Sequence, residues 1–204
     1  MKEPEMNKLS RSDLMSLEEY AERRQSFRAE VMEHKRTRQV ALNDHARLYF
    51  EDDKTIQYQI QEMLRIEKIF EAAGIQEELD AYNPLIPDGT NWKATFMLEY
   101  DDANERRQKV TELKGIEDKV WVQVEGFDKV YPIADEDLPR EDEEKTSTVH
   151  FLRFELSPPM VVAVNKGTDI AMGIDHAAMQ CDTGAIDQAV RDSLAADLDD
   201  IKIN

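Results

Sequence analysis

The chain has 204 residues, of which 41% are hydrophobic, so it is long and apolar enough to bury the core of one large domain. Its 44 Asp and Glu residues outnumber its 26 Lys and Arg residues; the net charge of −18 disfavours nucleic acids and anionic membranes as partners. The single cysteine, Cys181, excludes an internal disulfide and an iron–sulfur site built from four thiolates of this chain.

The first predicted element is a helix from about Leu17 to Thr37. Ser16 and Glu19 have the spacing of a capping box, and apolar residues follow them at helical intervals. The basic residues from 34 to 38 suit the negative end of the helix dipole. A small phosphate or nucleic-acid patch is the alternative for these residues, but the interleaved aromatic residues typical of such patches are missing.

A short strand and two helices are predicted next. Residues Ala46–Glu51 alternate between apolar and polar, which is typical of a strand with one buried face. A long helix then begins with Asp53 as its N-cap and ends at Gly74, where a glycine can take the left-handed conformation. A second, shorter helix covers Ile75–Tyr82 and is closed by the following Asn-Pro pair.

The long helix carries two glutamates of interest, Glu67 inside its apolar stripe and Glu62 on the flank of that stripe. One interpretation is a metal ligand or a general base in a helix-lined pocket. The other is an ion pair, with Arg153 of the sheet as the first candidate for the partner of Glu67. A buried carboxylate requires a partner in either case, and the absence of a Glu-x-x-His pattern favours the ion pair. The stripe consists of Ile56, Ile60, Met63, Leu64 and Phe70.

The second half of the chain contains two strand–helix–strand units, in residues 93–124 and 146–175. In both units a helix follows the first strand and ends at a Lys-Gly pair. These units favour an α+β fold in which N-terminal helices pack on a mixed sheet of about five to six strands, with ferredoxin-like strand–helix–strand units. The predicted strands are Lys93–Tyr100, Lys119–Val124, Lys129–Ile133, Thr146–Leu156 and Asp169–Asp175.

We predict a single α+β domain in residues 1–180, helical over 13–83 and sheet-containing over 91–176. Residues 181–204 are predicted to form a C-terminal extension with an amphipathic helix. An isolated helix of this length is marginal in water. We therefore expect its apolar stripe to dock on the chain's own domain or on a second copy of the chain, rather than on a foreign protein. The stripe consists of Ile186, Val190, Leu194 and Leu198.

Residues 135–144 form an acidic segment with seven carboxylates and one arginine. Such a segment is typical of a solvated loop. Metal capture is the alternative interpretation, but the spacing lacks the glycine and the terminal glutamate of an EF-hand loop. We therefore predict a mobile loop.

The four histidines give no short zinc motif, because none lies three or four residues from another. The alternative is a metal site assembled in space from His45, Glu62, Glu67 and His150, and these residues together with Arg153 form the candidate polar site. His150 lies in a predicted strand, where a hydrogen-bonded core histidine is the more common role. Seven glycines and no phosphate-binding loop pattern disfavour a nucleotide, so no cofactor is predicted.

Several separated segments of the sequence resemble those of a known family. NDHARLYFED, YQIQEMLRIEKI and ELDAYNPLIP follow one another in the first half of the chain, and EEKTSTVHFLRFELSP begins at Glu143. From about Leu9 to about His176 the chain resembles an uncharacterised bacterial family of similar length, defined only as a domain of unknown function. After His176 the chain departs from the family pattern, in which a proline and an aromatic residue are expected.

The family's genes often lie beside those of rubrerythrin and heterodisulfide-reductase-like iron–sulfur proteins. The resemblance therefore implies a redox or peroxide-stress setting, and it implies no catalytic residue. Two hypotheses for function follow. The first is an acidic accessory or interaction protein that acts with an iron–sulfur oxidoreductase or a rubrerythrin-like protein, in which the partner holds any cluster. The second is a metal-dependent enzyme that uses carboxylates and histidines of the central helix and sheet.

The N-terminus has no apolar run of signal-peptide length, and no segment of the sequence approaches a membrane span. We therefore expect a cytoplasmic location and neither nucleic acid nor membrane as a partner. A homodimer formed through the C-terminal helix is compatible with both functional hypotheses.

Overall fold

The computed structural model describes residues 8–142 and 144–201. The ends of the predicted 1–180 domain and of the predicted 181–204 extension, residues 1–7 and 202–204, lie outside this description. Helix α1, Leu17–His34, begins after Ser16, whose hydroxyl accepts a hydrogen bond from the Glu19 amide at 3.1 Å, so the predicted cap is confirmed. A 3-10 turn, Lys35–Thr37, completes the segment that was expected to be one helix.

Strands β1, Gln39–Asn43, and β2, Ala46–Phe50, form an antiparallel hairpin. The predicted strand at Ala46–Glu51 corresponds to β2, and its alternate residues are buried. The sequence prediction does not contain β1. Its two buried apolar residues, Val40 and Leu42, are too few to show a period of two beside a basic segment.

Helix α2, Asp53–Glu67, ends at Lys68, which takes the left-handed conformation with φ of 56°. The predicted end at Gly74 is therefore wrong. Gly74 lies inside helix α3, Ala72–Tyr82, and a methyl group at this position would come within 2.7 Å of Ile69. The glycine thus allows close packing of α3 on the preceding turn and does not cap a helix.

The early end of α2 divides the predicted apolar stripe. Of the stripe residues, Ile56, Ile60 and Leu64 are buried, whereas Phe70 is 70% exposed; Ile66, on the flank of the stripe, is 61% exposed. Phe70 follows the helix, so it no longer lies on the same face as the buried residues.

The remaining strands are β3, Asn91–Leu98, β4, Val120–Val124, β5, Ile133–Ala134, β6, Val149–Glu155, β7, Ile170–His176, and β8, Met179–Ala185. The remaining helices are α4, Ala103–Glu112, α5, Pro158–Asn165, and α6, Gln188–Ala195. Within the described residues one sheet has the order β1-β2-β3-β6-β5, and a second sheet has the order β4-β7-β8. Neighbouring strands in both sheets are antiparallel.

The α+β class and both strand–helix–strand units are confirmed, since α4 follows β3 and α5 follows β6. The strands do not form a single mixed sheet, because β3 pairs with β6 in one sheet and β4 pairs with β7 in the other. Each unit therefore passes from the five-stranded sheet to the three-stranded sheet. The predicted strand Lys129–Ile133 is divided in the same way: Val130 pairs with Val122 of β4, and Ile133–Ala134 pair with β6.

One apolar core contains side chains from both sheets and from α5 and α6. Val190 and Leu194 of α6 belong to this core, and the indole of Trp92 donates a hydrogen bond to the Leu194 carbonyl at 2.9 Å. The C-terminal helix therefore packs on its own chain. The residues before it form β8, an edge strand whose polar and half-exposed side chains give no strand pattern in the sequence. No helix of the described residues combines the length and the apolar composition needed to cross a membrane.

Candidate functional site

Glu62, a predicted candidate ligand, links α1 to α2. Its carboxylate accepts hydrogen bonds from the Tyr20 hydroxyl at 2.6 Å, from the Arg24 guanidinium at 2.7 and 3.0 Å, and from Arg65 at 3.2 Å. The hydrogen bonds from Arg24 are the largest cause that lowers the pKa of Glu62 to about 2. Both carboxylate oxygens are occupied in this way, so Glu62 forms an interhelical ion pair.

Glu67 and Arg153 do not form the predicted ion pair. Glu67 is the last residue of α2 and is exposed, because the left-handed Lys68 ends the helix at this point. Arg153 on β6 instead donates two hydrogen bonds of 2.7 Å to Glu136 and also contacts Glu155. The expected burial of Glu67 is therefore wrong.

His45 lies in the exposed turn between β1 and β2. Its ring stacks on Tyr100 with the ring centroids 4.4 Å apart, and Nδ1 lies 3.0 Å from the Glu99 carbonyl oxygen. These contacts hold the turn against the end of β3. His45 therefore has a structural role in the turn and is separate from the ion pair of Glu62.

His150 is fully buried in β6 among polar groups from other segments. Nδ1 lies 2.6 Å from an Asp135 carboxylate oxygen, and Nε2 lies 2.9 Å from the Thr146 hydroxyl and 3.1 Å from the Ser147 carbonyl oxygen. A Glu117 carboxylate oxygen lies 3.7 Å from Nε2 and accepts a hydrogen bond from Thr146 at 3.1 Å. His150 is thus a hydrogen-bonded core histidine, and its carboxylate neighbours differ from the predicted ones.

Asp135, Glu117 and His150 could together hold a metal ion, because one ligand atom from each lies within 4.8 Å of the other two. Carboxylate oxygens and imidazole nitrogens are suitable ligands for zinc or manganese. Burial raises the pKa of Glu117, since desolvation disfavours its charged form. Asp135 also accepts hydrogen bonds from the Phe151 amide at 2.9 Å and from Arg140 at 3.1 Å. The prediction of a solvated loop is therefore wrong at Asp135, which is anchored in the protein.

Sequence reasoning missed Asp135 and Glu117 as neighbours of His150. Asp135 is one of seven acids in a segment, and Glu117 belongs to a 3-10 turn after α4, so neither has a local pattern that distinguishes it. The available signal is the position of His150 on the core face of a strand, because a buried imidazole requires hydrogen-bond partners.

A cavity of about 660 Å³ lies between α2 and α3 on one side and the outer face of the five-stranded sheet on the other. Its floor contains Lys93, Phe151 and Arg153, whose neighbours along the strands face the core. The acidic segment after β5 forms the opposite wall. The walls are lined by Met63, Glu78, Ala81, Tyr82, Pro84, Leu85, Glu136, Asp137 and Arg140.

The cations that line this cavity are bonded within the chain. Lys93 Nζ donates a hydrogen bond to the Pro84 carbonyl at 2.6 Å, and burial lowers the pKa of Lys93. Arg140 binds both oxygens of Asp137 at 2.5 and 2.7 Å, and Arg153 is held by its two hydrogen bonds to Glu136.

Glu78 on α3 differs from these groups. Burial is the main cause that raises the pKa of its carboxyl group, and the neighbouring carboxylates of Glu67 and Glu77 raise that pKa further. Across residues 8–142 and 144–201 no hydrogen bond or ion pair reaches the Glu78 carboxylate. The cavity therefore contains a half-buried carboxylate that forms no ion pair with any residue the structure describes.

A smaller pocket of about 260 Å³ lies where α6 meets the end of α1. The buried Arg38 donates hydrogen bonds to Asp197 at 2.9 and 2.7 Å and lies 3.5 Å from Asp52. Asp52, the N-cap of α2, also lies 2.5 Å from His34 Nε2. Burial raises the pKa of Asp197 to about 6, although Arg38 opposes the shift. This network ties the C-terminal segment to the first hairpin.

The architecture and these clusters define a two-sheet α+β domain with an N-terminal helical layer. The profile of the family described as "Protein of unknown function (DUF3501)" matches residues 8–198, so the chain belongs to that family. The family resemblance is thus confirmed, and it continues through β8 and α6 rather than ending near His176.

A solved structure with the same fold supports this assignment. This structure is the crystal structure of a novel protein of unknown function from Burkholderia pseudomallei K96243, and that protein is 50% identical in sequence to this chain. The match covers 94% of this chain and 100% of that chain, with a TM-score of 0.90. A search of curated proteins finds no match.

Proposed function

We propose that the protein is an acidic accessory protein that docks on a basic face of a partner protein in a redox system. The observation that carries this proposal is the exposure of two large apolar side chains around the end of α2, Ile66 in its last turn and Phe70 just after it. Exposed apolar surface with a charged rim marks protein interaction sites. Glu67 and Glu77 supply negative charge at this corner.

The docking face of the partner is expected to be basic. Residues 48–204 carry 16 Lys and Arg against 35 Asp and Glu, whereas residues 1–47 carry 10 against 9. Several cations, Arg140 and Arg153 among them, are engaged by carboxylates of the same chain. The charge that remains for a partner is therefore negative, and an oppositely charged face accelerates association.

The redox setting of the proposal derives from the gene association that the family resemblance implies. An iron–sulfur oxidoreductase or a rubrerythrin-like protein is the proposed partner, and the cytoplasm is the proposed location. With Cys181 as its single thiol, the chain leaves any iron–sulfur cluster to the partner.

The test is capture of partners from lysate of the native host, followed by measurement of the affinity with the purified partner. A complex with an iron–sulfur or rubrerythrin-like protein should form at about 0.05 M salt and weaken at about 0.5 M salt, because the Debye length falls from more than 10 Å to about 4 Å. Phe70→Ser should weaken it, and Met32→Ser, an exposed apolar residue on α1, is the matched control. Failure to recover any such protein at low salt would contradict the proposal.

A metal-dependent enzyme is the second candidate function, and the cluster of Asp135, Glu117 and His150 is the observation that favours it. The ligands would then be these three residues rather than Glu62, Glu67 and His45. Elemental analysis of protein purified from its native host is the test. About one zinc, manganese or iron ion per chain, lost in His150→Ala, would favour the enzyme; no metal in the native protein would count against it.

A further inference from the structure

The cavity between α2–α3 and the outer sheet face offers apolar contact area. Met63, Tyr82, Leu85 and Phe151 line it together with the aliphatic parts of charged side chains. Ile66 lies three residues after Met63, on the same face of α2, so apolar surface continues from the cavity to the exposed end of the helix. An occupant that follows this surface is longer than a single side chain.

The charge that is free to bind an occupant of this cavity is negative. Arg140 and Arg153 are paired with carboxylates of the same chain, and Lys93 donates to the Pro84 carbonyl, so an anionic ligand would meet the carboxylates of Asp137 and Glu136 on its way to these cations. Glu78 has no such partner in the described part of the chain. A half-buried carboxylate without a counter-ion is destabilising, and a cation supplied by an occupant relieves that cost.

We propose that this cavity docks a basic segment of a partner protein, with a Lys or Arg of the segment paired to Glu78 and an adjacent apolar side chain placed between Tyr82 and Phe151. This inference rests on the proposed function, since it names the docking site and the partner chemistry of the same accessory protein. It disfavours small anions such as phosphates and carboxylates as the natural occupants, because carboxylates of the same chain already pair with Arg140 and Arg153.

Two other occupants come from the chain itself. A second copy is disfavoured, because two chains with a net charge of −18 repel each other. The first residues of the same chain are the alternative that needs a test, because Leu9 exchanges two hydrogen bonds with Asn83, at 2.8 and 2.9 Å, next to the cavity residues Tyr82 and Pro84.

The experiment uses a fluorescein-labelled peptide of alternating lysine and leucine, together with a counterpart in which glutamate replaces each lysine. Binding to the full chain is measured by fluorescence anisotropy at about 0.1 M salt. Glu78→Gln removes the unpaired charge, and Ala81→Trp fills the cavity from an exposed position of α3. Glu22→Gln, at an exposed position of α1, makes the same charge change elsewhere.

We expect the lysine peptide to bind and the glutamate peptide not to bind. Glu78→Gln and Ala81→Trp should each weaken binding by about tenfold or more, whereas Glu22→Gln should stay within about twofold of the original protein. Thermal melts establish that each variant is folded. Equal weakening by Glu78→Gln and Glu22→Gln would show non-specific attraction to an acidic surface and would overturn the proposal. A chain without residues 1–7 that binds the peptide more tightly would make the chain's own N-terminus the occupant and would overturn it as well.

The same variants separate this inference from the proposed function. A redox protein that is captured equally well by the original chain and by Glu78→Gln would leave the accessory role standing and overturn the cavity as the docking site. Peptide binding that depends on Glu78 and Ala81, without any redox protein among the captured partners, would support the docking site and contradict the redox role.

Discussion

Loss of the Glu62 ion pair is expected to loosen α1 from α2. In Glu62→Gln the amide oxygen can still accept the hydrogen bond of the Tyr20 hydroxyl, but the two charge-assisted bonds from Arg24 are lost. The small apolar cluster of Tyr20, Phe27 and Val31 packs against Tyr58 of α2, and Tyr20 of this cluster is the hydroxyl donor to Glu62.

The magnitude follows from the pKa of Glu62. A decrease from 4.5 to about 2 corresponds to about 3 kcal/mol of stability at neutral pH, at about 1.4 kcal/mol per pKa unit. The Arg24 side chain is 36% exposed, so solvent screens part of the interaction. We therefore expect Glu62→Gln to lower the free energy of unfolding by about 1–2 kcal/mol at pH 7.

The stability lost in Glu62→Gln should become smaller as the pH falls. The folded-state pKa of Glu62 lies below the unfolded-state value, so the stabilisation is complete above about pH 5 and disappears as the pH falls toward 2. The glutamine variant has no carboxyl group at this position. The difference in unfolding free energy between the two proteins should therefore shrink between about pH 5 and pH 2.

Urea unfolding followed by circular dichroism at several pH values measures this difference. Glu67→Gln is the matched control, because it makes the same change at an exposed position of the same helix; its effect should stay within about 0.5 kcal/mol. Equal losses for the two variants would refute the ion-pair assignment, as would a loss at position 62 that stays constant down to about pH 3.

Three further substitutions test other parts of the structure. Burial raises the folded-state pKa of Asp197 to about 6, above its unfolded value, so the contribution of this group to stability increases as the pH falls from about 7 to about 4. Asp197→Asn should flatten that slope in thermal melts, and an unchanged slope would contradict the shift. His150→Ala leaves two carboxylates without their imidazole and should lower the free energy of unfolding by about 3–5 kcal/mol in urea titrations; a loss below about 1 kcal/mol would show that the cluster is not structural. Gly173→Ala would place a methyl group against the Cys181 carbonyl oxygen and the Trp121 ring and should cost about 1–3 kcal/mol in urea titrations; an unchanged free energy of unfolding would contradict this close approach.

Local features of the fold could be predicted because their causes are local. Ser16 caps α1 as its spacing from Glu19 indicates, and the period of two places alternate residues of β2 and β3 in the core. The end of α2 could not be predicted, because Lys68 takes a left-handed conformation that intrinsic preference assigns to Gly74. The division of the strands into two sheets, with β3 and β6 in one and β4 and β7 in the other, depends on pairing between strands that are far apart in the sequence. The local sequence of a strand does not determine this pairing.

The candidate site shows the same division between local and long-range causes. His150 could be selected from the sequence because it interrupts the apolar face of a strand. Its neighbours Asp135 and Glu117 lie 15 and 33 residues away in the chain, and only the packing of the acidic segment and a 3-10 turn around β6 brings them to it. The prediction of a buried Glu67 assumes that α2 continues beyond this residue. The helix instead ends at Glu67, because Lys68 takes the left-handed conformation.

The acidic segment, residues 135–144, also determines which charges of the cavity remain unpaired. Asp135 points inward to His150, while Glu136 and Asp137 hold Arg153 and Arg140 at the wall of the cavity. These carboxylates therefore neutralise the cations that would otherwise attract an anion into the cavity. Glu78, on the opposite wall, forms no ion pair within the described residues, and this difference is the reason why we propose a cation of a partner, rather than an anion, as the group that binds there.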